Sequence, residues 1–151
     1  MFSLIITIIS IALVAALAIA TIYYGGSAFT QGNAKSSAST LTAQAQQIMG
    51  AVTLYRNDGN NTTGLAVADL APTYLQSVPA MPAAVVDTDV WSLGAGANSA
   101  SINVVSLDVC KQVNKSIGEG ESVVVSSVRQ YSCTGAADCS VATPCVFTYN
   151  G

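Results

Sequence analysis

From Met1 to Tyr24 the chain reads MFSLIITIISIALVAALAIATIYY, an almost wholly apolar run, and its first charged residue is Lys35. Wound as an α-helix at about 1.5 Å per residue, residues 1–24 reach about 36 Å, more than the roughly 30 Å of a bilayer's hydrocarbon layer. A helix that is apolar on every side cannot stand alone in water and requires lipid or other apolar helices around it. Gly25, Gly26 and Gly32, with Ser27 and Asn33 among them, interrupt this pattern. An interior glycine costs about 1 kcal/mol of helix stability relative to alanine, so a soft joint is expected here. Beyond it Ala34, Ala38, Leu41, Ala45, Ile48, Val52 and Tyr55 recur at alternating spacings of four and three, one stripe of an amphipathic helix. Lys35, Ser36, Ser39, Thr42, Gln46 and Thr53 fall on the opposite face, so the stripe is expected to seat this half of the helix on a sheet built by the rest of the chain.

Arg56-Asn57-Asp58-Gly59-Asn60-Asn61 closes that helix with turn-forming residues. Residues 65–75 (LAVADLAPTYL) suit a short helix limited by Pro72, and Pro79 and Pro82 enforce extended backbone before the first strand. Trp91 and Leu93, then residues 101–107 (SINVVSL), read as strands. A helix follows with Asp108 at its start, Val109, Cys110, Val113 and Ile117 along one side, and its end near Gly118. Residues 121–133 (ESVVVSSVRQYSC) and 144–149 (PCVFTY) are the strongest strand candidates and are expected to pair antiparallel across a cysteine-rich loop. The predicted fold is α+β: a long N-terminal helix, apolar in its first half and amphipathic in its second, packed on a small antiparallel sheet with a C-terminal disulfide region. Its predicted parts are an apolar helix with a glycine joint over 1–34, an amphipathic helix over 35–55, and one globular head over 56–151.

Composition narrows the chemistry. Charged residues are 9% of the chain and the net charge is −3, so no basic field exists to attract nucleic acid or anionic lipid. Histidine is absent, and no Gly-x-Ser-x-Gly, phosphate-loop or dinucleotide fingerprint occurs, so catalysis is not expected and no cofactor is called for. Asp87-x-Asp89 offers two oxygens where calcium wants six to eight, and reads as a solvated turn before Trp91. Cys110, Cys133, Cys139 and Cys145 form an even set, and their Cys-x5-Cys-x5-Cys tail lacks zinc-site spacing. They read as disulfides of an oxidising compartment, with three pairings open. Asn60-Asn61-Thr62-Thr63 and Asn114-Lys115-Ser116 match the N-glycosylation sequon, and in a glycosylating host the first is expected to be an exposed acceptor. Phe2, Tyr23, Tyr24 and Phe29 suit packing and interface anchoring. No basic segment precedes Phe2, and the apolar run exceeds the roughly 7–15 residues of a signal-peptide core, so Met1 is read as the start of a mature chain whose basic leader is removed upstream.

An apolar half-helix, a continuation ending in Gln44-x-Gln46-Gln47-Ile48-x-Gly50-Ala51-Val52-x-Leu54-Tyr55, the segment Leu70-x-Pro72-x-Tyr74-Leu75, and a C-terminal cysteine region together resemble a type IV pilin over the whole chain. The helix-borne cysteine in Leu107-Asp108-Val109-Cys110-Lys111-Gln112-Val113-Asn114, and the leading Met, resemble the type IVb branch. The resemblance implies a subunit processed by a leader peptidase, usually methylated at its new N-terminus and held in the inner membrane. The pilus assembly machinery then polymerises copies of it into an extracellular filament. Phe2, Leu4, Ile5, Ile8, Ile9, Ala12, Ala15, Ala16 and Ile19 would pack the filament core, where the small residues let neighbouring helices approach closely. Most family members carry Glu at the fifth mature position, where it is thought to pair with a neighbour's N-terminal amine; this chain has Ile5. Certain minor pilins and pseudopilins lack that Glu too. The family's mid-segment proline is also missing, so Gly25 and Gly26 are expected to unwind or bend in a filament. A membrane-anchored extracytoplasmic binding module, using the loop from Cys133 to Cys145, is the alternative of another class. Whether a filament of this chain would serve adhesion, motility, DNA uptake or conjugation depends on its motors and partners.

Overall fold

The computed structural model describes residues 2–80, 90–118, 120, 130–135 and 139–151. The expectations for Met1, for Asp87 and Asp89, and for the strand over residues 121–129 fall outside these. The chain forms two compact units, Met1–Asn33 and Ala34–Gly151, and one helix, α1 (Phe2–Asn57), supplies residues to both.

In the second unit, the 3–4 spacing of the stripe is realised as burial. Ala34, Ala38, Leu41, Ala45, Ile48 and Val52 are buried, with Met49 and Ala51 beside them and Tyr55 half-buried, while Lys35, Ser36, Ser39, Gln46 and Thr53 face solvent. The alanines in the stripe let the helix backbone lie close to the rest of the core. α1 ends in a left-handed cap: the amide of Asp58 donates to the Leu54 carbonyl, that of Gly59 to Arg56, and Gly59 has φ +80°. Arg56 then ties this end to the turn over residues 94–98. Its Nη2 donates to the carbonyl of Gly96 at 3.1 Å and to Asn98 Oδ1 at 3.1 Å.

A four-stranded antiparallel sheet completes the core, in the order β1 (Ser92–Leu93), β2 (Ser99–Val104), β4 (Cys145–Asn150), β3 (Tyr131–Thr134). Alternation puts Ala100, Ile102 and Val104 of β2 inside, opposite Tyr149, Phe147 and Cys145 of β4. Trp91 meets the Phe147 ring edge-on, and Tyr131 stacks on Tyr149. Helix α2 (Leu107–Ser116) buries Val109, Cys110 and Val113 and stops before Gly118, at φ +84°.

Several boundaries differ from the sequence expectation. β2 starts two residues before Ser101, because Ala100 lies in the core although alanine carries no strand signal. Leu107 opens α2 instead of closing the strand, while Asp108 lies in the first helical turn, as expected. Between residues 65 and 75 only Val67–Leu70 is helical, as a single 3₁₀ turn.

The cysteines pair as Cys110–Cys133, which joins α2 to β3, and Cys139–Cys145, which closes the loop into β4. Beside the first bridge sits Asn114, fully buried. Its Nδ2 donates to the Cys133 carbonyl at 2.8 Å, and the Cys133 amide donates to its Oδ1 at 2.9 Å. The carboxamide thus occupies the side of β3 that β4 does not use, in the way a neighbouring strand would. So placed, Asn114 cannot accept a glycan in the folded chain.

Candidate functional site: the bare apolar helix

The first unit is helix throughout its described residues, 2–33, and every one of them is exposed. Phe2 is 85% exposed, and Leu4, Ile5, Ile8, Ile9 and Ile19 are more than half exposed, as are Ile6, Ile11, Leu13, Val14, Leu17 and Ile22. Ala12, Ala15 and Ala16 are exposed among them. At 100° per residue these positions cover the helix except for a sector of about 60°, where Ser3, Thr7, Ser10 and Thr21 line up beside Val14. α1 is long and apolar enough to cross a membrane, and none of its most apolar window is buried within the chain. An apolar surface of this extent marks a site of contact with lipid or protein.

Three of the hydroxyl side chains within the run, all but Ser3, direct their protons inward. Thr7 Oγ1 donates to the Leu4 carbonyl at 2.8 Å, Ser10 Oγ to Ile6 at 2.8 Å, and Thr21 Oγ1 to Ala18 at 2.9 Å. Each hydroxyl shares a carbonyl already used by the helix ladder, so none needs water in an apolar setting. Sequence reasoning missed this self-sufficiency, although it follows from helical geometry for any Ser or Thr whose side chain can reach a carbonyl one turn back. The run ends at Tyr23 and Tyr24, exposed and packed edge to face at 5.6 Å, as amphipathic rings at an apolar–polar boundary would be. The first turn of α1 holds no acidic residue, and Ile5 presents only hydrocarbon.

Gly25, Gly26 and Gly32 do not interrupt the helix as their propensity suggested. α1 continues through all three, and Ser27 and Thr30 bond back to the carbonyls of Tyr24 and Gly26. A methyl group built on any of these glycines meets nothing within 4 Å. Internal packing therefore does not explain their choice, and their effect is confined to a lower local helix propensity and a bare backbone.

A polar cluster lies just beyond the other end of α1. Tyr74 Oη donates to Asp58 Oδ2 at 2.7 Å, Asn60 Nδ2 reaches the Tyr55 carbonyl and Tyr74 Oη, and the Tyr55 and Tyr74 rings meet edge-on. Donation to the Asp58 carboxylate holds the Tyr74 hydroxyl above its ordinary titration range. At the second candidate surface, the loop from Cys133 to Cys145, Ser140 and Thr143 bond to each other through backbone and side chains, which closes a tight turn beside the second disulfide.

Comparison with known proteins gives no match to a family model, to a curated protein or to a solved structure.

Proposed function

We propose that this chain is a structural subunit that polymerises into a type IV pilus filament, of the type IVb kind, and acts by assembly instead of by catalysing a reaction. One observation carries the reading: a helix bare and almost wholly apolar from Phe2 to Tyr24, whose continuation from Ala34 is amphipathic and built into a disulfide-bonded α+β head. A simple membrane tether needs only the first half. A filament subunit needs both, because the core-forming rod must be rooted in the body it carries. In this reading the chain sits in the inner membrane before assembly, and its partners are lipid, the leader peptidase, the assembly machinery and then copies of itself. Leaving lipid for a sheath of like helices yields little hydrophobic gain, since both surroundings are apolar, so assembly relies on close packing at Ala12, Ala15 and Ala16 and on contacts between heads.

Ile5 favours a second reading within the same fold, a minor pilin or secretion-system pseudopilin. A neighbour's N-terminal ammonium would find no carboxylate there, and an unpaired charge in an apolar core costs several kcal/mol. The nearby acceptors are the hydroxyls of Ser3 and Thr7 and backbone carbonyls, and Thr7, its proton committed to Leu4, keeps its oxygen lone pairs for accepting.

Shearing cells that express the chain, followed by electron microscopy and mass spectrometry of the sheared material, tests the proposal. Filaments composed in bulk of this chain support it, and filaments containing it in trace amounts support the minor-subunit reading. Single molecules or small detergent-bound oligomers confined to the membrane fraction overturn both and leave an anchored binding module.

A further inference from the structure

The chain contains three overlapping or separate Asn-x-Ser/Thr triplets, at Asn60, Asn61 and Asn114, and the fold treats them differently. Asn114 is fully buried with both ends of its carboxamide bonded to Cys133. Asn60 is exposed, but its Nδ2 donates to the Tyr55 carbonyl and to Tyr74 Oη, and the hydroxyl of its partner Thr62 is committed to the Gly96 carbonyl at 3.1 Å. Asn61 is the reverse case. Its Oδ1 accepts the Thr63 amide at 2.9 Å, while among the described residues its Nδ2 and the Thr63 hydroxyl make no hydrogen bond, and both residues are exposed.

We propose that Asn61 is an acceptor for N-linked glycosylation, taking an oligosaccharide from a polyprenyl-pyrophosphate donor in the hands of an oligosaccharyltransferase. The turn between Asn61 and Thr63 holds the carboxamide oxygen inward, polarises the group and turns Nδ2 outward, with the Thr63 hydroxyl open for recognition two residues on. In the transfer, Nδ2 forms a bond to the anomeric carbon as the bond from that carbon to the pyrophosphate oxygen breaks. The polyprenyl pyrophosphate leaves with the electron pair, and the Nδ2 proton passes to a base of the transferase. The left-handed Gly59 and Gly64 on either side, at φ +80° and +74°, set the loop off from the head as a short exposed turn. The inference uses only the exposure and hydrogen bonding of this loop, so it stands or falls separately from the filament reading.

The test uses the full chain, disulfides intact, in detergent micelles, with a transferase that reads only Asn-x-Ser/Thr and is first shown to glycosylate an unfolded peptide of residues 56–66. Peptide mapping of the folded chain is expected to find one glycan, on Asn61. Asn61→Gln and Thr63→Ala should each abolish it, whereas Asn60→Gln and Thr62→Ala should retain it. A glycan on Asn60 or Asn114 of the folded chain, or none while the peptide is modified, overturns the proposal.

Discussion

Replacing Asn114 with alanine tests whether the head depends on a side chain that imitates a strand. The carboxamide is fully buried and makes two short hydrogen bonds to the backbone of Cys133, itself fully buried. Alanine removes both partners at once and leaves a buried N–H and a buried C=O unpaired, at about 1–3 kcal/mol each. The desolvation cost of the amide itself is recovered, so the net loss is set at about 2–4 kcal/mol, which lowers the melting temperature of a unit this size by roughly 10 °C. Trp91 is the chain's only tryptophan and is buried in the head, so its fluorescence during urea unfolding of the detergent-solubilised chain reports this unit without interference from the apolar helix. The Asn114→Asp variant should lose at least as much at neutral pH, since its second oxygen faces the Cys133 carbonyl. Burial raises the folded-state pKa of the introduced acid above its unfolded value, so its stability should recover as pH falls and the protonated oxygen can donate. A loss below about 0.5 kcal/mol for Asn114→Ala at unchanged urea slope would refute the reasoning, because it would mean the edge of β3 does not need this amide.

Two further outcomes are expected. Substituting alanine at both Gly25 and Gly26 should stabilise α1 locally by about 2 kcal/mol, since the added methyls meet no obstacle. Amide exchange around residues 22–33 should slow roughly thirtyfold in detergent, and filament yield should fall if assembly requires this segment to open; unchanged exchange would show that the glycines are not the weak point. Tyr74 should titrate above the ordinary tyrosine range in ultraviolet difference spectra, and Asp58→Asn should bring it back toward that range. Because the folded-state value is the raised one, the stabilisation from this pair is fully present below pH 10 and is lost as pH climbs through the folded midpoint. A Tyr74 midpoint unmoved by Asp58→Asn would rule out the carboxylate as the cause.

Hydrophobic periodicity made the long helix legible in the sequence. The residues spaced by threes and fours from Ala34 to Val52 are the ones the head buries, and the unbroken run before Tyr24 is the part that finds no cover within the chain. Features decided by distant parts of the chain were not legible. Cys110 and Cys133 are 23 residues apart in sequence, and their pairing emerges only when α2 and β3 bring their Cα atoms to 5.3 Å. Asn114 reads as a surface sequon until the neighbouring strand is in place. Ala100 gives no strand signal, yet its register opposite Tyr149 puts it in the core. At the glycines after Tyr24, helix propagated from both flanks outweighs their individual propensities, so α1 runs on where the sequence marks a joint.

The inward-turned hydroxyls of Thr7, Ser10 and Thr21 carry a mechanical consequence. With these three protons spent on their own backbone, the rod donates little to its surroundings, and Thr7, Ser10 and Thr21 share with Ser3 one narrow stripe that marks an azimuth on an otherwise hydrocarbon cylinder. Acyl chains or sister helices therefore meet a surface read by shape over most of its girth, through the alternation of alanine with bulky Ile and Leu, and by hydroxyl oxygens only along that stripe.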